Sequence, residues 1–476
     1  MLSNWKGREA IDDRGARKYR RRFIKWCLQR IYRGTGFSPL PMIALGFLGI
    51  ILLGSLLLSL PAASASGIGI PWFDNLFTAT SAVCVTGLVV QDTGRAYSTF
   101  GHVVLLVMIQ LGGLGFMTFA TLLFRLMGRH ISMRERMIMR DSLNEDDIGG
   151  MVQLVQWVAV SAFTVELAGA VLFSIRLIPI YGWGKGAFYS LFHAVSAFCN
   201  AGFDLFGGGQ SLTGFAGDAL MNLTAVAMVV IGGLGFSVLH DMLTRRSFRR
   251  FRLHTKLVLV SYGALLFGGM LMVLALEWSN PATLGPMPFG QKLLASLFQS
   301  MTLRTAGFNT IDQAGLRDCT KLVGGLMMLV GAASASTGGG VKVTTLAIMV
   351  LTVRMVARGE RNIAVFGRRI DQGLIQRTVA IVCIAVAVAL VDICALSLLQ
   401  PGAAFLDLYY ECMSAVGTVG ISAIGSANLR PLARVLIMIT MYIGRIGPLT
   451  MALLFSRRQN RAKELLRYPE DRVMIG

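Results

Sequence analysis

Residues 81–88, SAVCVTGL, contain a glycine segment that recurs three more times along the chain. When the copies are aligned on Gly87 and its counterparts, the glycines are separated by 115, 105 and 113 positions. A segment that returns at such spacing is an internal repeat, and here the repeat is fourfold. The three further copies are SAFCNAGF (196–203), SMTLRTAGF (300–308) and SAVGTVGI (414–421).

The composition places these repeats in a membrane. Hydrophobic residues occupy 54% of the 476 positions, charged residues only 15%, and the mean hydropathy is +0.63. Such a chain cannot bury its apolar surface in a soluble core. Eight apolar runs each hold at least about 20 residues, enough to cross a hydrocarbon layer of roughly 30 Å. The runs are residues 41–60, 100–127, 152–180, 217–243, 256–277, 321–354, 376–399 and 431–456.

A shorter apolar stretch leads into each glycine loop, for instance FDNLFTATSAV before Gly87 and FYSLFHAVSAF before Gly202. About a dozen residues are too few to span a bilayer but enough for a re-entrant half-helix. The predicted fold is an all-α polytopic membrane protein, with eight transmembrane helices and four re-entrant pore helices in fourfold pseudo-symmetric repeats. The predicted divisions are a basic N-terminus (1–40), repeats at 41–140, 141–250, 251–368 and 369–456, and a C-terminus (457–476).

Charged residues predict the orientation of the spans. The net charge is +20, but Lys and Arg lie in clusters between the apolar runs. There they act as topology signals and bind anionic lipid headgroups, so a nucleic-acid partner is not expected. The clusters alternate with loops poor in basic residues, which predicts that all clusters and both chain termini are cytoplasmic. The clusters cover residues 18–33, 125–140, 245–256, 354–377 and 457–472.

Several kinds of site are not indicated. The seven cysteines are odd in number and form no C-x-x-C pair, so neither a disulfide framework nor a metal site is predicted. There is no G-x-G-x-x-G after a strand and no P-loop, so no nucleotide site is expected in this chain. An intramembrane hydrolase would need Ser334 or Ser336 beside His193, but these residues fall in different repeats. The chain is therefore not expected to be an enzyme.

The glycine loops are the candidate binding site. Non-helical backbone at bilayer depth leaves N–H and C=O groups unpaired, at considerable cost, unless they face protein or water. Four such loops around one axis would direct carbonyl oxygens at a central line, with half-helix C-termini adding partial negative charge. That arrangement replaces the hydration shell of a monovalent cation. The alternatives are loops merely buried against their neighbours and a membrane scaffold or receptor without transport.

Glycine clusters follow three of the loops, and close helix packing is one interpretation of them. In the last cluster Arg445 stands where the other two have glycine, and a lone Arg at a helix centre costs about 2.5 to 3.5 kcal/mol. A cation beneath a cation filter suggests a regulated barrier, with snorkelling or a structural ion pair as the alternative. The clusters are QLGGLGF (110–116), VIGGLGF (230–236) and YIGRIGP (442–448). Four other polar side chains in apolar segments are expected to make structural hydrogen bonds: Glu166, His193, Asp392 and Glu411.

With these motifs the chain resembles the ion-conducting subunit of the Trk/Ktr/HKT potassium transporter family, and most of all its Ktr branch. The resemblance covers residues 40–456 and rests on the loops CVTGL, CNAGF, RTAGF and GTVGI, with ASTGGGVK in the third inner span. It implies a fold related to potassium channels, one pore per chain, a homodimer, and potassium as the transported ion. The implied filter residues are Val85, Thr86, Gly87, Asn200, Ala201, Gly202, Thr305, Ala306, Gly307, Thr418, Val419 and Gly420.

The resemblance also assigns a role to the polar stretch GAASASTGGGVKV (331–343), which interrupts the apolar run 321–354. In the family a flexible Gly/Ser loop lies here below the filter and obstructs the pore, so residues 331–345 are the expected gate. Consecutive glycines agree with this, since each destabilises a helix by about 1 kcal/mol. The family also has a positive residue at the position of Arg445, facing the pore. The expected gate residues are Ser336, Thr337, Gly338, Gly339, Gly340, Lys342 and Arg445.

The expected partners also follow from the resemblance. Family members bind a cytosolic ring of nucleotide-binding regulatory subunits of the KtrA/TrkA type, for which the basic inner loops and tail offer a contact surface. The expected location is the bacterial plasma (inner) membrane, in contact with its lipids. No further pair of spans precedes residue 40, which favours the Ktr over the Trk branch. Sodium dependence is expected for the Ktr branch, so sodium is the possible second ion.

Overall fold

The computed structural model of the protein describes residues 39–115, 151–360 and 362–447. Helices dominate these residues, and the sheet within them is a single pair of two-residue strands. Three basic clusters, at 18–33, 125–140 and 457–472, lie wholly outside the described residues. Residue 361 of the cluster 354–377 and the ends of the runs 100–127 and 431–456 also lie outside them.

The first predicted repeat begins with a long apolar helix and continues through a short helix into its loop. Asp92 caps the one-turn helix that follows the loop, because its carboxylate accepts the backbone N–H of Gly94 at 3.0 Å. Ser98 caps the inner helix in the same way, accepting from Gly101 at 3.3 Å. The helices are α1 (Pro39–Leu58), α2 (Trp72–Cys84), α3 (Thr93–Ala96) and α4 (Thr99–Leu114).

The second predicted repeat differs from expectation in its inner span. The run 217–243 is predicted as one span, but the structure divides it into two helices that meet at 95°. The break lies at Gly235, whose φ of 91° is a conformation that favours glycine. The helices are α5 (Met151–Tyr181), α6 (Trp183–Phe198), α7 (Ala219–Leu234) and α8 (Phe236–Arg245).

The third and fourth predicted repeats complete the helical set. In the third, the non-helical residues 329–342 separate two helices of the predicted inner span. The third repeat contains α9 (Leu253–Glu277), α10 (Phe289–Thr302), α11 (Asp318–Met328) and α12 (Val343–Ala357), followed by the antiparallel strands β1 (Ala364–Val365) and β2 (Arg368–Arg369). The fourth contains α13 (Gln372–Leu399), α14 (Phe405–Gly417) and α15 (Pro431–Ile446). Single 3-10 turns lie at Pro61–Ala63, Thr213–Phe215, Phe248–Arg250 and Ser426–Asn428.

Three of the described helices, α5, α9 and α13, are long and apolar enough to cross a membrane, and the bent pair α7–α8 forms a fourth candidate. The apolar helices α1, α4 and α12 are shorter within the described residues. Large apolar side chains on the long helices are exposed, such as Val391 at 68% and Leu398 at 82%. A lipid environment suits such surfaces, whereas water does not.

The repeats contact one another in a closed ring. Each predicted inner helix packs against the short helix that precedes the glycine loop of the next predicted repeat: α4 on α6, α7 on α10, and α11 on α14. The last inner helix, α15, packs on α2 of the first repeat and so closes the ring. Polar bonds reinforce this closing contact, with Arg434 2.9 Å from Asp74 and the Tyr442 hydroxyl donating to the Ala44 carbonyl at 2.6 Å. The four glycine loops are thereby brought to the middle of the ring.

Candidate functional site

The four loops share one backbone conformation. The residue that opens each loop is left-handed, although none is glycine, with φ of 56° at Val85, 60° at Asn200, 61° at Thr305 and 52° at Thr418. The glycine two positions later is also at positive φ, from 69° to 98°. Positive φ costs a non-glycine residue about 1 to 3 kcal/mol, so its recurrence at four aligned positions indicates a shared structural requirement. The pattern also aligns the third loop, whose flanking sequence departs from the others.

Each loop glycine faces a carbonyl of the next loop. A β-carbon added at Gly87 would lie 2.6 Å from the Ala201 oxygen, one at Gly202 would lie 2.9 Å from the Ala306 oxygen, and one at Gly307 would lie 3.1 Å from the Val419 oxygen. A β-carbon at Gly420 would meet the Thr86 oxygen, which returns the series to the first loop. Glycine is therefore required here by close approach of backbone to backbone. The carbonyls of Thr86, Ala201, Ala306 and Val419 form a ring of oxygens.

Hydroxyl side chains near the C-terminal ends of α2, α6, α10 and α14 hold the loops. The Ser81 and Ser414 hydroxyls accept the N–H groups of Gly87 and Gly420, each at 3.0 Å. In the second loop the Ser196 hydroxyl donates to the Phe203 carbonyl at 2.8 Å. In the third loop Thr302, one position later than these serines, donates to Phe308 instead. The one-residue offset of this hydroxyl is a local change that leaves the glycine position unaltered.

The glycine clusters of the inner helices pack against the pore helices of their own repeats. A β-carbon at Gly112, Gly232 or Gly444 would meet the carbonyl of Val83, Phe198 or Val416, each four positions before a loop glycine. The three helices then end at aligned glycines, Gly115, Gly235 and Gly447, with φ of 79°, 91° and 99°. Close packing explains the first glycine of each cluster, and the positive φ at the end of each helix explains the last. The carbonyls of the final helical turn lack helical partners there.

The polar stretch of the third repeat supplies N–H groups to those carbonyls. Ala333 donates to the Gly233 carbonyl at 2.9 Å, and Thr337 donates to the Gly232 carbonyl at 3.3 Å. In return, the Ala335 carbonyl accepts the N–H of Phe236, the first residue of α8, at 2.8 Å. The stretch therefore caps both sides of the break in the second inner span.

The same stretch is bonded to two of the glycine loops and to α15. The N–H of Gly339 donates to the Thr418 hydroxyl at 3.1 Å, and that of Gly340 donates to the Gly444 carbonyl at 3.3 Å. The Thr337 hydroxyl donates to the Phe198 carbonyl at 3.2 Å and contacts the Asn200 side-chain oxygen at 3.3 Å. All of these contacts place the polar stretch directly against the predicted filter.

The remaining predicted gate residues make short-range bonds. The Ser336 hydroxyl donates to the Ala333 carbonyl at 2.6 Å, and the Lys342 ammonium donates to the Gly338 carbonyl at 2.7 Å. A β-carbon at Gly338 would meet the Thr305 hydroxyl. The Lys342 ammonium thus binds a carbonyl of its own stretch, next to the third glycine loop.

Arg445 bridges three parts of the ring. Its guanidinium donates to the carbonyls of Thr337 in the polar stretch and Gly112 in α4, and to Gly113 at 3.3 Å. No carboxylate pairs with it among the described residues, so the structural ion pair considered for Arg445 is not observed there. A guanidinium bound only to carbonyls keeps its full positive charge at this place.

The four other polar side chains singled out in the sequence are hydrogen-bonded. Three of them are buried carboxyl groups, and each accepts hydrogen bonds from another helix or from the loop that follows its own helix. These bonds hold the segments together. The bonds to Glu166 come from Gln110 at 2.8 Å, those to Asp392 from Thr440, and those to Glu411 from Ser422 and from Ser426 at 2.5 Å.

His193 holds the segment that follows the second loop. Its Nδ1 bonds the Tyr189 carbonyl at 2.7 Å, its Nε2 accepts the Leu205 N–H at 3.4 Å, and its ring stacks on Phe206 with centroids 4.3 Å apart. Neighbouring Asp204 accepts the N–H of Phe206 at 3.1 Å, while burial raises the pKa of its carboxyl to about 6. No bond joins His193 to Ser334 or Ser336 among the described residues.

Arg304 is a residue whose environment the sequence did not reveal. It is 1% exposed, lies 4.4 Å above the Tyr262 ring and donates to the Tyr262 carbonyl at 2.9 Å. Two of its nitrogens have no partner among the described residues. The available signal is the alignment, in which Arg304 occupies the position of Cys84, Cys199 and Gly417. A buried cation immediately before the third loop is therefore a feature of one repeat.

Comparisons with known proteins identify relatives along most of the chain. A family model described as TrkH, cation transport protein, matches residues 47–464. The Ktr system potassium uptake protein B of Bacillus subtilis is 40% identical over 447 residues, which cover 94% of this chain and 99% of that protein. The protein of the same name from Vibrio alginolyticus is 37% identical over 91% of this chain and 94% of its own length. The structure of the potassium transporter TrkH from Vibrio parahaemolyticus is similar in fold, with a TM-score of 0.65, 18% identity and coverage of 86% and 84%.

Proposed function

The chain belongs to the TrkH family of cation transport proteins, and on that basis we propose that it takes up potassium ions across the bacterial plasma membrane. Relatives that cover nearly the whole chain are named as potassium uptake proteins. The family is one of transporters rather than enzymes. Potassium is the substrate in this proposal, and the four glycine loops are its path.

The ring of loop carbonyls is the observation that carries the proposal. Every loop glycine faces the carbonyl of the next loop, and the fourth loop returns to the first. Carbonyl oxygens in such a ring replace the hydration shell of a monovalent cation. The twelve residues of the proposed filter act mainly through their backbone, with glycine at the third position of every loop.

The proposed architecture has eight transmembrane helices and four re-entrant pore helices in fourfold pseudo-symmetry. The cyclic packing of inner helices on pore helices supports it, as do the shared φ angles of the loops. The distribution of basic clusters supports a cytoplasmic location for both termini.

Residues 331–345 and Arg445 form the proposed gate. The polar stretch lies against two filter loops, and Arg445 ties it to α4 across the ring. The guanidinium adds positive charge beneath a cation filter, which opposes cation passage. Opening the proposed gate requires these bonds to break together.

Regulation is assigned to a cytosolic nucleotide-binding subunit, and the relatives' designation as parts of a Ktr system supports such a partner. The proposal also includes that the protein is a homodimer and that its potassium uptake depends on sodium, as the resemblance to the Ktr branch implies. A scaffold or receptor function leaves the ring of carbonyls without a role. The hydrolase alternative lacks its nucleophile–base contact among the described residues.

Uptake in cells tests the function directly. We expect the protein to restore growth at low potassium in a bacterium that lacks potassium uptake, and more so with sodium and a co-expressed cytosolic subunit. Purified protein in liposomes should carry thallium or potassium by itself. Properly folded protein without flux in liposomes and without rescue in cells would support the scaffold alternative.

A substitution in the second loop tests the filter. Gly202→Ser adds a β-carbon against Gly307 and Ala306, so we expect potassium affinity or selectivity to fall at least about tenfold. Gly209→Ser is the matched control, because Gly209 also has positive φ, 65°, but no atom lies within 4 Å of its added β-carbon. Wild-type flux and selectivity in folded Gly202→Ser protein would remove the loops from the ion path.

A further inference from the structure

A basic pocket lies at one end of α9, away from the ring of loops. Its volume is about 420 Å³, and its walls come from the α8–α9 connection and the β1–β2 hairpin. Four cationic side chains line it: Arg249, Arg250, Lys256 and Arg368. None of the four pairs with a carboxylate among the described residues. Converging unpaired cations repel one another, so an anion would stabilise the pocket.

Aromatic contacts give the pocket a defined shape. Phe366 at the hairpin turn lies edge-on to Phe248, with ring centroids 6.0 Å apart, and Phe248 contacts Phe251 at 6.1 Å. The Lys256 ammonium lies 5.7 Å from the Phe248 ring and 5.6 Å from the Phe366 ring, and donates to the Arg249 carbonyl at 3.0 Å. The two walls are therefore joined through Lys256 and these rings.

The hairpin is anchored to the helices rather than free. Ile363 and Ile370 flank it, are buried with Ile348 of α12, and pack against Leu253 at the start of α9. The Ile370 N–H donates to the Ile363 carbonyl at 3.0 Å, which closes the base of the hairpin. Arg368 is thus held opposite Arg249 and Arg250 by a packed apolar base.

The position of the pocket on α9 indicates the source of the anion. Lys256 lies in the first turn of this span-length helix. Val260, Phe267 and Leu271 follow on the same helical face and are exposed at 51%, 61% and 63%. These apolar side chains suit lipid tails, so Lys256 and its pocket lie where the headgroups of the adjoining leaflet would be.

We propose that this pocket binds the phosphate of an anionic phospholipid, such as phosphatidylglycerol, in the cytosolic leaflet. Arginine guanidinium groups bind phosphate oxygens through paired N–H donors, and the ammonium of Lys256 adds a point charge. The aromatic walls contact the glycerol region, and the exposed apolar face of α9 contacts the acyl chains. The pocket would then tie the α8–α9 connection and the hairpin to the membrane surface.

The test measures phosphatidylglycerol bound to purified full-length protein by native mass spectrometry, with phosphatidylcholine as the zwitterionic comparison. In the double variant Arg250→Gln, Arg368→Gln one charge is removed from each wall. We expect its affinity for phosphatidylglycerol to fall about thirtyfold, since each basic residue near an anionic surface contributes about 1 kcal/mol. Arg354→Gln, Arg358→Gln is the matched control, because it removes two exposed charges outside the pocket. Its affinity should change less than about twofold, because these two side chains do not line the pocket that holds the bound lipid.

Three outcomes would overturn the proposal. Equal losses in both double variants would indicate a general charge effect without a site. Displacement of the lipid by millimolar inorganic phosphate or a nucleotide would identify a soluble ligand. An unchanged affinity in the pocket variant would exclude the pocket. Should the double variant not fold, Arg368→Gln alone gives the same test. This variant should fold, because the Arg368 side chain makes no hydrogen bond or ion pair within the described residues. Its affinity for phosphatidylglycerol should fall about fivefold.

Discussion

The inner spans of the second and third repeats are both interrupted, but by different means. The second breaks at the single residue Gly235, with a 95° turn and no intervening loop. The third is interrupted by residues 329–342, which form no helix. The two interruptions are complementary, because N–H groups of the third repeat satisfy carbonyls that the break in the second leaves without helical partners. A helix break therefore provides the binding site for the proposed gate.

Deleting residues 334–338 should have the largest effect, because the deletion removes hydrogen bonds between the polar stretch and the break in the second repeat. We expect potassium flux per folded transporter to rise about a hundredfold and to lose most of its dependence on the regulatory subunit, because several hydrogen bonds of about 1 kcal/mol each close the gate. Flux into liposomes measures this. Deleting residues 207–209, a glycine stretch that follows the second loop, is the control. A fall in flux after the gate deletion, with normal folding, would mean that the stretch only bends the helix.

Arg445→Ala should have the next largest effect. The variant loses the charge-assisted bonds to Thr337 and Gly112, and the bond to Thr337 alone, which holds the polar stretch, is worth about 1.5 to 3 kcal/mol. We therefore expect flux to rise at least about tenfold. Arg445→Lys keeps the charge but cannot reproduce the planar fork, so it should conduct more than the wild type and less than the Ala variant. Flux in liposomes at matched protein density compares the two. Wild-type behaviour of the Lys variant would assign the barrier to charge rather than to bonding.

Gly235→Ala should change the flux least of these three variants, and it tests the contact between the two interrupted helices. A β-carbon there would meet the Ser334 carbonyl and displace the stretch from α8, so we expect a rise in flux of about threefold, as loss of part of one hydrogen bond would give. Gly115→Ala is the matched control, because Gly115 has similar backbone angles and no described atom within 4 Å of its added β-carbon. Equal responses of the two variants would point to backbone strain and not to contact with the gate.

The glycine loops could be located from the sequence because the feature that identifies them, the glycine, is set by the backbone conformation of the loop itself. A backbone that needs positive φ and close approach requires glycine, and that requirement recurs at Gly87, Gly202, Gly307 and Gly420. The long apolar helices α5, α9 and α13 were predicted for the same reason, since length and hydropathy are local properties.

Features that depend on neighbouring repeats were not predictable. A glycine in an apolar run is typical of helix packing, so the bend at Gly235 was missed. The polar stretch was expected to be flexible, but its partners at Gly232, Gly233 and Thr418 belong to other repeats and are brought to it only by the ring. Arg304 stacks on Tyr262 within its own repeat, a contact between segments distant in sequence that the alignment of the loops could not show.

A ring made from one chain has three covalent junctions and one without a peptide link. Here the unlinked junction joins the fourth repeat to the first, and the Arg434–Asp74 ion pair with the Tyr442 and Arg445 bonds to Ala44 and Gly112 fastens it. This junction carries Arg445, so the same side chain that contacts the polar stretch also holds the fourth repeat against the first.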